Sequence, residues 1–162
     1  MFDKELLNRV AGALKKTHRS VAVAESVTAG LLQAAFSNAK EASLFFQGGI
    51  TAYNLGQKCR HLLIEPLHAI ECDCVSKKIA EELSRNICSI FLSDYGIGIT
   101  GYAAKVPEKK INDLYAYYSI CLNKEIIESG IIKPDQEEGF PAQLYYTETV
   151  LEKFDNLLHK NK

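Results

Sequence analysis

Ser43, Tyr53 and Lys58 follow one another in a short stretch of this chain and hold the residue types needed for acyl transfer. A serine hydroxyl becomes a nucleophile only when another group takes its proton. A lysine kept neutral by burial can do this as a histidine does. With Ser43 and Lys58 as the pair, the serine oxygen would attack an acyl carbon. The amine would accept the proton and return it to the leaving group, and water would then release the acyl-enzyme. Lys58 must fall well below its free pKa of about 10.4 for this, which desolvation achieves. Tyr53 stands close enough before Lys58 to fix the amine or the serine, and backbone N–H groups at Ser43 and Leu44 are the first choice of oxyanion donors. Taken by themselves these residues have a plainer reading: a serine between Ala42 and Leu44 is ordinarily a cap or loop hydroxyl, and a lysine in Gln57-Lys58-Cys59-Arg60 a solvated surface group.

The surrounding pattern supplies elements to carry them. Phe2, Leu6, Leu7, Val10 and Leu14 recur at helical spacing behind Asp3, a good N-cap. Ser20 to Ala24 reads as a short buried strand, and the spacing predicts a helix from Thr28 through Phe36. Between them, Glu25-Ser26-Val27-Thr28 forms a strand-to-helix turn, the place where an α/β sheet brings polar groups to a crevice. Ile50 to Tyr53 reads as a second strand and Gly56 to Leu63 as a short helix carrying Lys58. Ser76 caps a long helix with Ile79, Leu83, Ile87, Ile90 and Phe91 on one face. Tyr95 to Thr100 is a strand whose glycines imply close backbone approach. Leu114 to Leu122 and Ile126 to Ile132 read as a hairpin joined at Asn123-Lys124, and Pro141 opens a last helix with Leu144, Thr147, Leu151, Phe154 and Leu158 in a stripe. This order gives an α/β fold with a mixed sheet between helical layers.

The words Ala-Glu-Ser-Val-Thr-Ala-Gly, Gln-Gly-Gly-Ile-Thr-Ala-Tyr-Asn, Gln-Lys, Cys-Val-Ser and Gly-Ile-Gly-Ile-Thr-Gly occur in that order between Val21 and Gly101. In sequence and spacing they resemble the C-terminal domain of the competence/damage-inducible CinA proteins, a family that includes stand-alone nicotinamide mononucleotide amidohydrolases of the PncC type. The resemblance implies a three-layer α/β/α domain with a mixed sheet over residues 1–162. It also implies a Ser-Lys dyad at Ser43 and Lys58 with Tyr53 beside it, and a substrate pocket lined by Ser26, Thr28, Thr100 and Gly101. The implied activity is hydrolysis of a carboxamide in a small molecule, in the family a nucleotide, with no cofactor and no metal, in a homo-oligomer, a dimer by preference.

This chain also departs from the family text. Where the family has a glycine-rich loop after the Thr-Gly strand end, this chain reads Thr100-Gly101-Tyr102-Ala103-Ala104-Lys105-Val106-Pro107, which should reshape one wall of the pocket. Pro141 and Tyr145 replace two arginines that the family turns toward the substrate phosphate. Each charge-assisted bond of that kind is worth about 1.5–3 kcal/mol. Lys105, Lys109 and Lys110 are the cations left to substitute. The departures open a second reading, a diverged, non-catalytic member that binds another small molecule or serves in assembly.

Composition narrows the remaining classes. A chain of 162 residues with net charge −1 is one ordinary domain without the basic footprint of a nucleic-acid binder or an anionic-membrane binder. Five cysteines without a repeated C-x-x-C spacing, and no charged-then-apolar leader, point to a reducing cytoplasm. Cys72-Asp73-Cys74 lacks the ligands of a tetrahedral metal site. His18, His61, His68 and His159 are scattered and read as surface or capping groups, and Tyr115, Tyr117 and Tyr118 as packing on a sheet.

Overall fold

The computed structural model describes residues 2–135 and 137–160. Among the described residues six α-helices and five strands run in the order α1 (Lys4–Thr17), β1 (Val21–Glu25), α2 (Leu31–Ser37), β2 (Phe46–Thr51), α3 (Leu55–Leu62), α4 (Pro66–Glu71), α5 (Lys77–Phe91), β3 (Tyr95–Tyr102), β4 (Tyr115–Leu122), β5 (Glu125–Ile132) and α6 (Phe140–Lys160). The sheet order is β2-β1-β3-β4-β5. β1 pairs in parallel with both β2 and β3, whereas β4 and β5 add antiparallel strands at the other edge. The sheet is therefore mixed, with helices on both faces.

Side-chain alternation on β1 divides the core in two. Val21 and Val23 join the cluster made with α1, α2 and α6, while Ala22 and Ala24 join Leu62, Ile79, Leu83 and Ile87 on the face covered by α3 and α5. β3 repeats the division with Ile97 and Ile99 against Gly96 and Gly98. A Cβ on Gly96 would stand 2.0 Å from the Ser84 carbonyl oxygen, and one on Gly98 would stand 2.4 Å from that of Ala80. Both glycines let α5 lie directly on the sheet, the close approach their spacing implied.

Several element boundaries differ from the sequence reading. The second strand is Phe46–Thr51 rather than Ile50 to Tyr53, so Tyr53 lies beyond its end. The helix expected from Thr28 begins at Leu31, because Ala29 at φ 51° and Gly30 at φ 97° hold left-handed turn geometry first. The short helix α4, opened by Pro66 and capped by the Glu65 carboxylate, was too brief to announce itself by periodicity. The hairpin holds: Asn123 and Lys124 take φ 50° and 69°, the two positive values a type I′ turn requires, without a glycine.

Candidate active site

In the strand order β2-β1-β3 the chain leaves β1 through α2 on one face and returns to β3 through α5 on the other. Such a reversal opens a crevice at the carboxyl ends of the parallel strands. A cavity of about 520 Å³ lies there, and its wall includes Ser26 just after β1, Tyr53 and Asn54 after β2, and Thr100 to Ala104 on β3 and beyond. Lys58 from α3, Asp73 and Cys74 from the turn before α5, Lys109, and Gly139 and Gln143 around the start of α6 complete it.

Glu25 builds the serine-bearing turn. Its carboxylate is fully buried and accepts hydrogen bonds from the Thr28 hydroxyl at 2.6 Å and from the backbone N–H groups of Gly30, Leu32 and Gln33 at 3.2, 3.0 and 2.9 Å. These donors include orphan N–H groups of the first turn of α2, which a buried acceptor must satisfy. Ser26, whose N–H bonds the Ile99 carbonyl at 3.1 Å, is thereby pinned between β1 and β3. Thr28 differs from expectation: it is fully buried, its hydroxyl is spent on Glu25, and it is absent from the cavity wall.

Lys58 is only 2% exposed and donates from Nζ to the Tyr53 carbonyl at 3.2 Å. Among the described residues it forms no ion pair. Desolvation lowers its pKa below the ordinary lysine value, against weaker upward pulls from Cys74, Asp73 and Cys59. The amine is thus biased toward the neutral state. Tyr53 serves Lys58 through its backbone carbonyl, and its side chain is 76% exposed at the cavity rim. The Thr100 hydroxyl donates to the Cys74 carbonyl at 2.7 Å, tying β3 to the turn before α5, and Gly101 continues the wall.

Ser43 lies elsewhere. It is exposed on the 3-10 turn Ala42–Leu44, which leads into β2 at the end of the sheet where the Phe45 carbonyl accepts the Val21 N–H. That is the amino end of β1, whereas the cavity sits past its carboxyl end, a separation of about 16 Å at roughly 3.3 Å per residue. Within one chain Ser43 and Lys58 are therefore not brought together, and Ser43 and Leu44 are absent from this cavity's wall. Ser43 is nearer to Lys58 in sequence than Ser26 is, but it enters β2 at the opposite end of the parallel strands.

A family model for the CinA C-terminal domain matches residues 3–113. The chain belongs to the CinA C-terminal domain family. It is 38% identical over 101 residues to a competence-damage inducible protein of Streptococcus pneumoniae, covering 62% of this chain and 24% of that protein. With the one from Natranaerobius thermophilus it shares 36% over 107 residues, covering 66% and 26%. The chain thus spans about a quarter of the length of these relatives. The fold superposes on a CinA superfamily crystal structure from Klebsiella pneumoniae with a TM-score of 0.90 at 22% identity, covering 96% of each chain. The competence/damage inducible protein of Agrobacterium tumefaciens gives 0.81 at 18%, covering 97% and 98%. The CinA match takes in Ser26, Tyr53, Lys58, Asp73, Thr100 and Lys109, and stops before Gly139 and Gln143.

Two features of this CinA domain were not legible beforehand. Asp73 and Cys74 appeared in the sequence only as part of a failed metal pattern, yet they form cavity wall. Gln143 reaches the cavity from α6, one turn after Gly139, while Pro141 and Tyr145, which stand in place of arginines, are outside the wall. Among the described residues no helix is long and apolar enough to cross a membrane.

Proposed function

We propose that this CinA domain hydrolyses a small carboxamide to its carboxylate and ammonia, with Ser26 as nucleophile and Lys58 as general base. The observation that carries this reading is a buried lysine with no ion-pair partner among the described residues, lining the same cavity as a serine at a strand end. Burying an amine costs stability, and lysines held neutral in this way are the ones suited to proton transfer.

In the reaction, the Ser26 hydroxyl gives its proton to neutral Lys58, directly or through one water, as Oγ bonds to the amide carbon. The carbonyl electrons move onto oxygen, toward the N–H of Val27, the residue after the nucleophile. Collapse of this intermediate breaks the C–N bond, and Lys58 returns the proton to the leaving ammonia. A water molecule, deprotonated in turn by Lys58, then attacks the Ser26 ester, and Lys58 returns the proton to Oγ as the C–O bond breaks. Resemblance to nicotinamide mononucleotide amidohydrolases makes pyridine carboxamides the first substrates to try.

Ammonia release from nicotinamide, nicotinamide riboside and nicotinamide mononucleotide by wild type, Ser26→Ala, Ser43→Ala and Lys58→Ala tests the proposal. Turnover in wild type and Ser43→Ala, with loss in the other two, supports it. Saturable binding without turnover in any of the four would favour a non-catalytic binding module.

A further inference from the structure

The loop after β3 contributes one cation to the cavity wall, and that cation is already occupied. Of Lys105, Lys109 and Lys110, only Lys109 lines the cavity. Its Nζ donates to both carboxylate oxygens of Asp73, at 2.8 Å each, and the Tyr102 hydroxyl donates to the same carboxylate at 2.8 Å. Asp73 is held on its other side as well. Asp73 and Cys74 take φ 51° and 61°, two successive left-handed residues that are not glycine, and the Thr100 hydroxyl grips the Cys74 carbonyl. A strained turn fixed by a buried hydrogen bond thus presents a carboxylate to the cavity.

We propose that the Asp73–Lys109–Tyr102 bridge is a charge lock that sets specificity, directing this cavity to carboxamides whose tail carries no phosphate. The inference rests on the carboxamide reading of the site. A phosphate brings a charge of about −1.5 to −2 at neutral pH and needs cationic donors. To reach Lys109 it must displace a carboxylate that stays fixed in the same wall, and it then faces that carboxylate as a like charge. The other lysine on the wall, Lys58, is buried at the reacting end. Around them stand neutral hydrogen-bonding groups, Asn54, Tyr102 and Gln143, suited to hydroxyls of a sugar-like tail.

The probes are nicotinamide riboside and nicotinamide mononucleotide, identical except for the phosphate. Their binding is measured by calorimetry on the full chain carrying Ser26→Ala, and their turnover on the chain with Ser26 intact. The expected result is riboside bound at least tenfold more tightly than mononucleotide. Asp73→Asn, which frees Lys109, should shift the ratio at least tenfold toward the mononucleotide. Lys109→Met, which takes the loop's cation off the wall and leaves the Asp73 carboxylate unneutralised, should widen the riboside preference. Tighter binding of the mononucleotide, lost in Lys109→Met, would overturn the lock, because Lys109 would then be a phosphate ligand. Equal affinities that Asp73→Asn does not alter would overturn it as well. Absence of turnover on both probes, with riboside still preferred in binding, refutes the catalytic reading and leaves the lock standing. Absence of binding by both refutes the carboxamide reading, and the lock with it.

Discussion

The two ends of β1 each offer a serine hydroxyl, and the one at the carboxyl end shares a cavity with a buried amine. At the amino end Ser43 is exposed to solvent on a 3-10 turn. At the carboxyl end Ser26 is buried on a turn held by Glu25, and its cavity contains an amine that desolvation pushes toward neutrality. Residue type is the same at both ends. The parallel crossover, which gathers the carboxyl ends of β1, β2 and β3, makes the chemical difference.

The largest effects should appear where that contrast is removed. Ser26→Ala is expected to lower ammonia release by at least about 10³-fold, since a nucleophile has no substitute, while Ser43→Ala changes it less than about twofold. Steady-state rates on one carboxamide compare the two directly. Comparable losses at both positions would break the comparison.

Lys58→Met should cost turnover about 10²–10⁴-fold, the usual worth of a general base, and raise the thermal midpoint at neutral pH. The stability gain follows from replacing a desolvated amine with an apolar side chain of similar length, about 1–4 kcal/mol by analogy with buried charged groups elsewhere. The sign in pH is fixed by the direction of the shift. Because the folded-state pKa of Lys58 lies below the ordinary lysine value, the fold is most stable toward Lys58 above that ordinary value, and it loses stability as pH falls to the lowered one. Turnover should rise with pH as Lys58 loses its proton, with an apparent pKa below about 10.4. Denaturation of wild type and Lys58→Met across pH 7–10, beside a pH-rate profile, checks both; a flat profile would remove Lys58 from the proton path.

Glu25→Ala is expected to destabilise the domain by about 3–5 kcal/mol, since four donors, two buried and two part-buried, lose their acceptor. Denaturant titration measures this. The smallest of these effects should be at Thr100→Val, which removes the bond to the Cys74 carbonyl at a cost of about 1 kcal/mol. It loosens the turn that presents Asp73, so its kcat/KM ratio between riboside and mononucleotide should move toward the mononucleotide.

Much of this architecture was written in local signals. The short buried run of β1, the capped amphipathic face of α5, the glycines of β3 and the Asn123-Lys124 hairpin each reflect interactions within a few residues, and each appears in the structure. The strand-to-helix turn at Ser26 was likewise marked as a crevice. What could not be read was which distant groups share that crevice. Ser43 was paired with Lys58 by residue type and family resemblance, and neither says which end of a parallel strand a loop occupies. Asp73 was invisible as wall because its partners, Tyr102 and Lys109, come from the loop where this chain departs from its family's text. Thr28 matched a pocket motif but turned inward, since a buried carboxylate at Glu25 needed its hydroxyl.

The most direct test of the central claim is covalent trapping. Wild type mixed with a slowly hydrolysed carboxamide is quenched in acid and mapped by peptide mass spectrometry. An acyl group on the peptide containing Ser26 is the result the account predicts. The same mass on the Ser43 peptide, with Ser26 unmodified, would contradict it.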